Sequence, residues 1–159
     1  YGLIDMPLTR PRTLFWMTRK WGASGASLWN TTNWHAGQYV QQTAENRWNC
    51  TATGVDTAGI LFWPHKELGF LESVRWQTVR DGIEDVLFFW VLEQAVAQAE
   101  ASADFADNAA LQAWVKEVQA VMTSALAFIE SPAAFEASYE LFNENRQRLA
   151  TVFAARPKY

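Results

Sequence analysis

Glu72-Ser73-Val74-Arg75-Trp76-Gln77-Thr78-Val79-Arg80-Asp81-Gly82-Ile83-Glu84-Asp85 is the stretch on which the fold turns. From Glu72 to about Ala101 the chain reads as a helix, with Val79, Ile83, Val86, Leu87, Trp90 and Val91 following the i, i+3/i+4 rhythm. Its charge is dense for a segment with such apolar neighbours. Arg80 and Glu84 stand four residues apart on one helix face and can pair. Gly82 inside a helix costs about 1 kcal/mol relative to Ala, so something compensates it, such as the close packing of another backbone. Arg75 can fork onto a carboxylate or onto loop carbonyls. Glu84 and Asp85 are adjacent, so their side chains point about 100° apart on a helix and cannot flank one scissile bond. They read as structural or capping carboxylates in an ion-pair network that locks this helix under two short strands.

Those two strands lie upstream. Arg12 to Trp21 reads as a helix, with Pro11 allowed in its first turn and Gly22 as its stop. Gly25-Ala26-Ser27-Leu28-Trp29 fits a short buried strand, and Gly59-Ile60-Leu61-Phe62-Trp63-Pro64 a second one closed by proline. Helix, strand, strand and helix in this order is the rhythm of an α/β fold. Residues 30–58 between the strands are polar and irregular, and loops of that length are usually functional or disordered. Downstream, Asn108 is an N-cap candidate, and Leu111, Trp114, Val115, Val118, Met122, Ala125, Leu126 and Ile129 form one apolar stripe. Ser131-Pro132 reads as the cap and first turn of a last helix marked by Phe135, Tyr139, Phe142, Leu149, Val152 and Phe153. Helices joined by such short connections favour antiparallel packing.

The two halves differ in composition. Seven of the nine tryptophans and seven of the eight glycines precede residue 80, and that part carries a net charge of +2. The remainder is Ala-rich with a net charge of −6, giving −4 for the whole chain of 159 residues. Such mild acidity is no footprint for nucleic acid, which calls for clustered Lys and Arg. The lone Cys50 excludes an internal disulfide framework. No apolar run reaches the roughly 18 residues of a transmembrane helix. The start, Tyr1-Gly2-Leu3-Ile4-Asp5, lacks the basic and apolar regions of a signal peptide and has no initiator Met. A fragment or a processed product is therefore expected. His35, His65 and Cys50 share no ligand spacing, so neither a metal nor another cofactor is expected. Gly22-Ala23-Ser24-Gly25 leads into a strand rather than a helix and makes a poor phosphate cradle. No G-x-S-x-G nucleophile elbow occurs.

The chemistry that remains is aromatic and amide. Leu28-Trp29-Asn30-Thr31-Thr32-Asn33-Trp34-His35 would bring an indole face and carboxamides to the end of a strand. A pyranose packs its C–H face on an indole while its hydroxyls need amide donors and acceptors. Two readings stand side by side: Trp29, Asn30 and Trp34 bind a sugar, or Trp29 belongs to the core and Trp34 pins a loop. Asn30-Thr31-Thr32 and Asn49-Cys50-Thr51 are also glycosylation sequons.

Ser73-Val74-Arg75 followed by Arg80-Asp81-Gly82-Ile83-Glu84-Asp85 resembles the S-x-R…L-R-D-G-I-E-D-Y-E-Y motif of the DUF4091 domain, the C-terminal part of family 123 glycoside hydrolases. Ile4-Asp5-Met6-Pro7 with Arg12 and Trp16 is similar to the family's iD-x-P…R…W stretch. Gly25 to Trp34 is similar to its G-x-L-x-W-x-x-N-x-W, and Gly59 to Pro64 to its G-x-L-x-Y-P. Asp56-Thr57-Ala58-Gly59 departs from the family's Gly-Asp-Gly, Trp63 stands for its usual Tyr, and Val86 and Phe88 stand for its Tyr-x-Tyr.

The resemblance implies an α/β fold, the C-terminal section of a (β/α)8 TIM barrel followed by a mainly helical extension. Residues 1–95 would be the last helix–strand–helix section, and residues 96–159 an antiparallel helical extension. Trp29, Asn30 and Trp34 would line a sugar pocket, while Arg75, Arg80, Asp81, Gly82, Glu84 and Asp85 form the structural motif. The family's hydrolysis is substrate-assisted, with an adjacent Asp-Glu pair on an earlier strand. No segment here matches that pair, so no catalytic residue is assigned and catalysis by this chain alone is not expected. The implied function is part of a glycoside-hydrolase-like protein acting on N-acetylhexosamine-containing glycans, outside the cell, on its surface or in the periplasm. Its partners would be a glycan and the remainder of the barrel. The alternative is a non-catalytic carbohydrate-binding or structural assembly subunit. A third reading is an α-helical interaction protein whose tail stripes pack on a partner.

Overall fold

A computed structural model describes residues 7–27, 61–65, 67–133 and 138–158. They form α1 (Arg10–Lys20), β1 (Phe62–His65), β2 (Gly69–Glu72), α2 (Val74–Glu100), α3 (Ala109–Ala125) and α4 (Tyr139–Ala154). No pair of parallel strands exists among them. β1 pairs with β2 in an antiparallel hairpin, with Phe62 opposite Glu72 and His65 opposite Gly69. The expected α/β architecture with a section of a (β/α)8 barrel is therefore overturned: the described residues are a helical array with one small hairpin. Gly25, Ala26 and Ser27 are exposed and outside any strand, and the rest of that expected strand lies outside the described residues.

Each element follows from local chemistry. α1 starts with Pro11 in its first turn, and it ends in a Schellman arrangement around Gly22, whose φ is 65°. There the Ala23 N–H donates to the Thr18 carbonyl at 2.9 Å and the Gly22 N–H to that of Arg19 at 3.4 Å. The second expected strand does not close at its proline. β1 runs through Pro64 to His65, because each strand of a two-stranded sheet is an edge and tolerates a missing N–H. The reversal is held by the His65 ring, whose Nδ1 accepts from the Glu67 and Leu68 amides at 3.3 and 3.2 Å, and by Gly69 at φ 80°. Ser73 caps α2, its hydroxyl accepting from the Trp76 amide at 3.3 Å. Its own N–H donates to the carbonyl of the buried Leu61 at 2.9 Å and ties the helix to the hairpin. Asn108 caps α3. Ser138, not Ser131, caps α4, accepting from the Leu141 amide at 3.1 Å.

The contacts fix the helix directions. Arg12 lies by Gly82 and Asp85, Trp16 by Phe89, and Arg19 by Glu93, so α1 and α2 run parallel. Glu84 meets Arg146 and Phe88 meets Phe153, so α4 is parallel to α2 as well. Trp114 donates to the Val152 carbonyl at 2.7 Å, and Ser124 accepts from Arg148 at 2.6 Å, so α3 and α4 run in opposite directions. One core draws on all four helices, with Trp16, Phe89, Leu92, Leu111, Val118, Ile129, Phe142 and Leu149 fully buried. α2 passes through residues 95 and 96 without a break.

The inner face of α2 is not the face its apolar residues suggest. Thr78, Val79, Gly82, Asp85, Phe89, Leu92, Ala95, Val96 and Ala99 are buried. Ile83, Leu87, Trp90 and Val91, which follow the helical rhythm of the sequence, are 41, 55, 57 and 36% exposed. α2 is apolar on every side, so its periodicity carries little directional information.

Candidate functional site

Among the described residues, a buried ion pair joins the first two helices. Gly82 brings them together: a Cβ there would lie 3.0 Å from the Arg12 carbonyl oxygen, 3.1 Å from its Cα and 2.6 Å from Phe15 Cδ2. One helical turn on, Asp85 points into the same seam. Its Oδ2 accepts from Arg12 Nε at 2.6 Å and from Trp16 Nε1 at 2.7 Å, while Oδ1 accepts from Arg12 Nη2 at 3.1 Å. Arg12 and Asp85 are 1% and 2% exposed. The guanidinium also lies 4.9 Å from the Phe142 ring centroid and donates from Nη1 to Asn143 Oδ1 at 3.4 Å. Arg146 approaches from α4, 3.5 Å from Asp85 Oδ1 and 3.3 Å from Glu84 Oε2.

This is a two-pronged Arg–carboxylate fork with a third donor from an indole, and Arg146 adds a second positive charge beside Oδ1. Charges this deep are tolerated only when paired in this manner. No buried side-chain polar atom among the described residues is without a partner. Asp85, 2% exposed and held by these donors, is closed off from solvent. What the constellation does is fix the rotation and axial position of α1 against α2, with α4 held through Arg146 and Asn143. The lock thus joins helices to one another. The hairpin lies elsewhere, against α2, through Phe62 and Trp76 at 4.9 Å between ring centroids.

The other residues of the motif are peripheral to it. Arg80 is 3.8 Å from Glu84 and 3.9 Å from Asp81, with its side chain 61% exposed. Pairs of that kind contribute little to stability. Arg75 sits half-buried in the first turn of α2, and its carbonyl accepts from the Thr78 hydroxyl at 2.8 Å. Trp29, Asn30 and Trp34, and the sequons at Asn30 and Asn49, lie outside the described residues.

Arg12 and Trp16 were not assigned a physical role from the sequence alone. A signal for them existed: Asp85 stands seven residues after Thr78 and four before Phe89, on a face that holds Gly82 and Leu92. An acid there demands a buried partner. The hairpin had its own signal, two apolar runs around Lys66-Glu67-Leu68-Gly69.

Two shallow grooves follow the seam between α2 and α4. One, of about 380 Å³, is lined by Glu84, Leu87, Phe88, Val91, Arg146 and Ala150. The other, of about 320 Å³, continues past Trp90 and Gln94 toward Arg156. No cluster of His, Cys, Asp and Glu that could hold a metal ion occurs among the described residues. None of their helices is long and apolar enough to cross a membrane. No family model, no curated protein and no solved structure matches the chain.

Proposed function

We propose that the chain is the supporting helical section of a glycoside-hydrolase-like protein that acts on N-acetylhexosamine-containing glycans. In this reading the stretch between Ser27 and Leu61 carries the sugar contacts Trp29, Asn30 and Trp34. The supporting observation is the convergence of Arg12, Trp16, Gly82 and Asp85. They come from the two separate sequence blocks that carry the family resemblance, and here they meet in one buried lock. A motif whose members meet in this way is a folding unit, so its residues belong to support and not to catalysis. The acid for hydrolysis would come from outside this chain, since no Asp-Glu pair here matches the family's. Such a protein would work outside the cytoplasm, where complex glycans are met.

The test is titration of the chain with N-acetylgalactosamine- and N-acetylglucosamine-containing oligosaccharides, followed by Trp29→Ala and Asn30→Ala. The expected result is saturable binding that Trp29→Ala weakens at least tenfold, equivalent to about 1.4 kcal/mol, with the melting temperature unchanged. Absence of binding, or affinity indifferent to both substitutions, would reject the glycan assignment. A second reading, a structural assembly subunit, is favoured by the large apolar side chains that α2 turns toward solvent.

A further inference from the structure

We infer that the groove between α2 and α4 beside Trp90 binds an N-acetylhexosamine unit of a glycan, as a contact separate from Trp29, Asn30 and Trp34. The inference rests on the glycan reading for the class of ligand and on other residues for the site.

Trp90, Gln94 and Gln98 stand at i, i+4 and i+8 and form one ridge along α2. All three line the same groove, of about 320 Å³. Trp90 is 57% exposed, and both glutamines are exposed. Among the described residues neither carboxamide has a hydrogen-bond partner, and neither has the Trp90 indole N–H. Each carboxamide therefore keeps two donors and an acceptor for a ligand. From Trp90 to Gln98 the ridge runs eight residues, or about 12 Å.

This set of groups selects among ligands. A pyranose stacks its C–H face on an indole, and its hydroxyls both donate to and accept from carboxamides. A purely apolar ligand would desolvate the two carboxamides without pairing them. A cation meets no carboxylate among the described residues that line the groove. An anion meets one guanidinium, that of Arg156, which lies over the Trp114 ring at 5.6 Å. Val91 and Phe153 line the same groove and narrow the class further. They give the methyl of an acetamido group an apolar seat, while the carboxamides match its N–H and C=O. The volume is near the lower end of ligand pockets, about 300–1,000 Å³, which suits a short piece of glycan. With no carboxylate in the lining, the groove holds a sugar and supplies no acid to cleave it.

The experiment is a titration of the full chain with N-acetylgalactosamine and, separately, N,N′-diacetylchitobiose, read by ¹H–¹⁵N spectra that include the side-chain amides and indoles. Circular dichroism is the folding control. The expected result is saturable shifts of the Gln94 and Gln98 carboxamides and the Trp90 indole N–H. Trp90→Ala, an exposed position, should weaken these sites' response at least tenfold with the melting temperature unchanged. Gln94→Ala with Gln98→Ala should weaken it about tenfold, the usual worth of one or two hydrogen bonds. Glucose, which lacks the acetamido group, should bind at least tenfold more weakly. Trp29→Ala should leave the shifts at Gln94 and Gln98 intact. Loss of sugar binding on Trp29→Ala together with indifference to Trp90→Ala would overturn this inference and spare the assignment of Trp29. The reverse pattern would uphold the groove and remove Trp29. Shifts at Gln94 and Gln98 that are absent, that never saturate, or that are equal for glucose would each overturn the inference.

Discussion

Gly82 is where two backbones touch, and its smallness is measurable. A methyl group there meets a phenyl carbon at 2.6 Å and the Arg12 backbone at 3.0 and 3.1 Å. The ring of Phe15 can turn away; the backbone of α1 cannot. Gly82→Ala gains about 1 kcal/mol of helix propensity, against about 1–3 kcal/mol of overpacking. A lower melting temperature in thermal unfolding is therefore expected. Phe15→Ala in the same chain should not restore it, because the contact with Arg12 remains. The ion pair beside it behaves differently. Asp85→Ala strands a buried guanidinium and should cost about 3–5 kcal/mol. Replacing both members, Arg12→Met with Asp85→Leu, removes both desolvation penalties and should recover part of that loss, the buried Trp16 N–H being left without its acceptor at a cost of about 1–3 kcal/mol. A double-mutant cycle by urea unfolding reads the difference. A double variant that loses as much as the two single variants added together would show that the pair is not coupled.

At the scale of elements, the boundaries rest on caps. Ser138→Ala should cost about 1 kcal/mol, the usual value of a lost N-cap. Ser131→Ala, seven residues before that cap, should stay within about 0.5 kcal/mol. The sequence points to Ser131-Pro132 because serine before proline is a good helix opening, and the preference of Ser138 is equal but less conspicuous. α3 was legible because its apolar residues lie on one side: Leu111, Trp114, Val115 and Val118 are all buried. α2 misleads for the opposite reason. Its core face mixes Gly82, Asp85 and Thr78, which do not look like a core, with Val79, Phe89 and Leu92, while its outer face carries Ile83, Leu87 and Trp90. The lock itself was half legible. Gly82 announces a close approach and Asp85 a structural carboxylate, but only coordinates bring in Arg12 and Trp16, some seventy residues away. Pro64 suggested an ended strand, since a proline is expected inside a strand only at an edge.

At the scale of the molecule, α1 is distant in sequence from every helix it touches, yet it completes the core. Trp16 is fully buried against Phe89, Phe128 and Phe142, with ring centroids 5.3, 5.6 and 5.3 Å away. Consecutive helices α2, α3 and α4 are joined directly, so the question is whether they form a folding unit without α1. The geometry says they do not. Removing α1 uncovers the flat side of Gly82, exposes Phe89 and Phe142, and leaves Asp85 facing Arg146 alone. Loss of one buried Trp costs about 3–5 kcal/mol, a large part of the 5–15 kcal/mol that holds a typical domain together. A chain lacking residues 1–23 should therefore keep much of its far-ultraviolet helical signal, lose its cooperative thermal transition and bind a hydrophobic dye. The complete chain should melt in one transition seen alike by circular dichroism and tryptophan fluorescence, since the core crosses residue 95 without a seam. A sharp, unshifted transition in the shortened chain would instead make α2–α4 an independent three-helix unit, and α1 an arm laid against it.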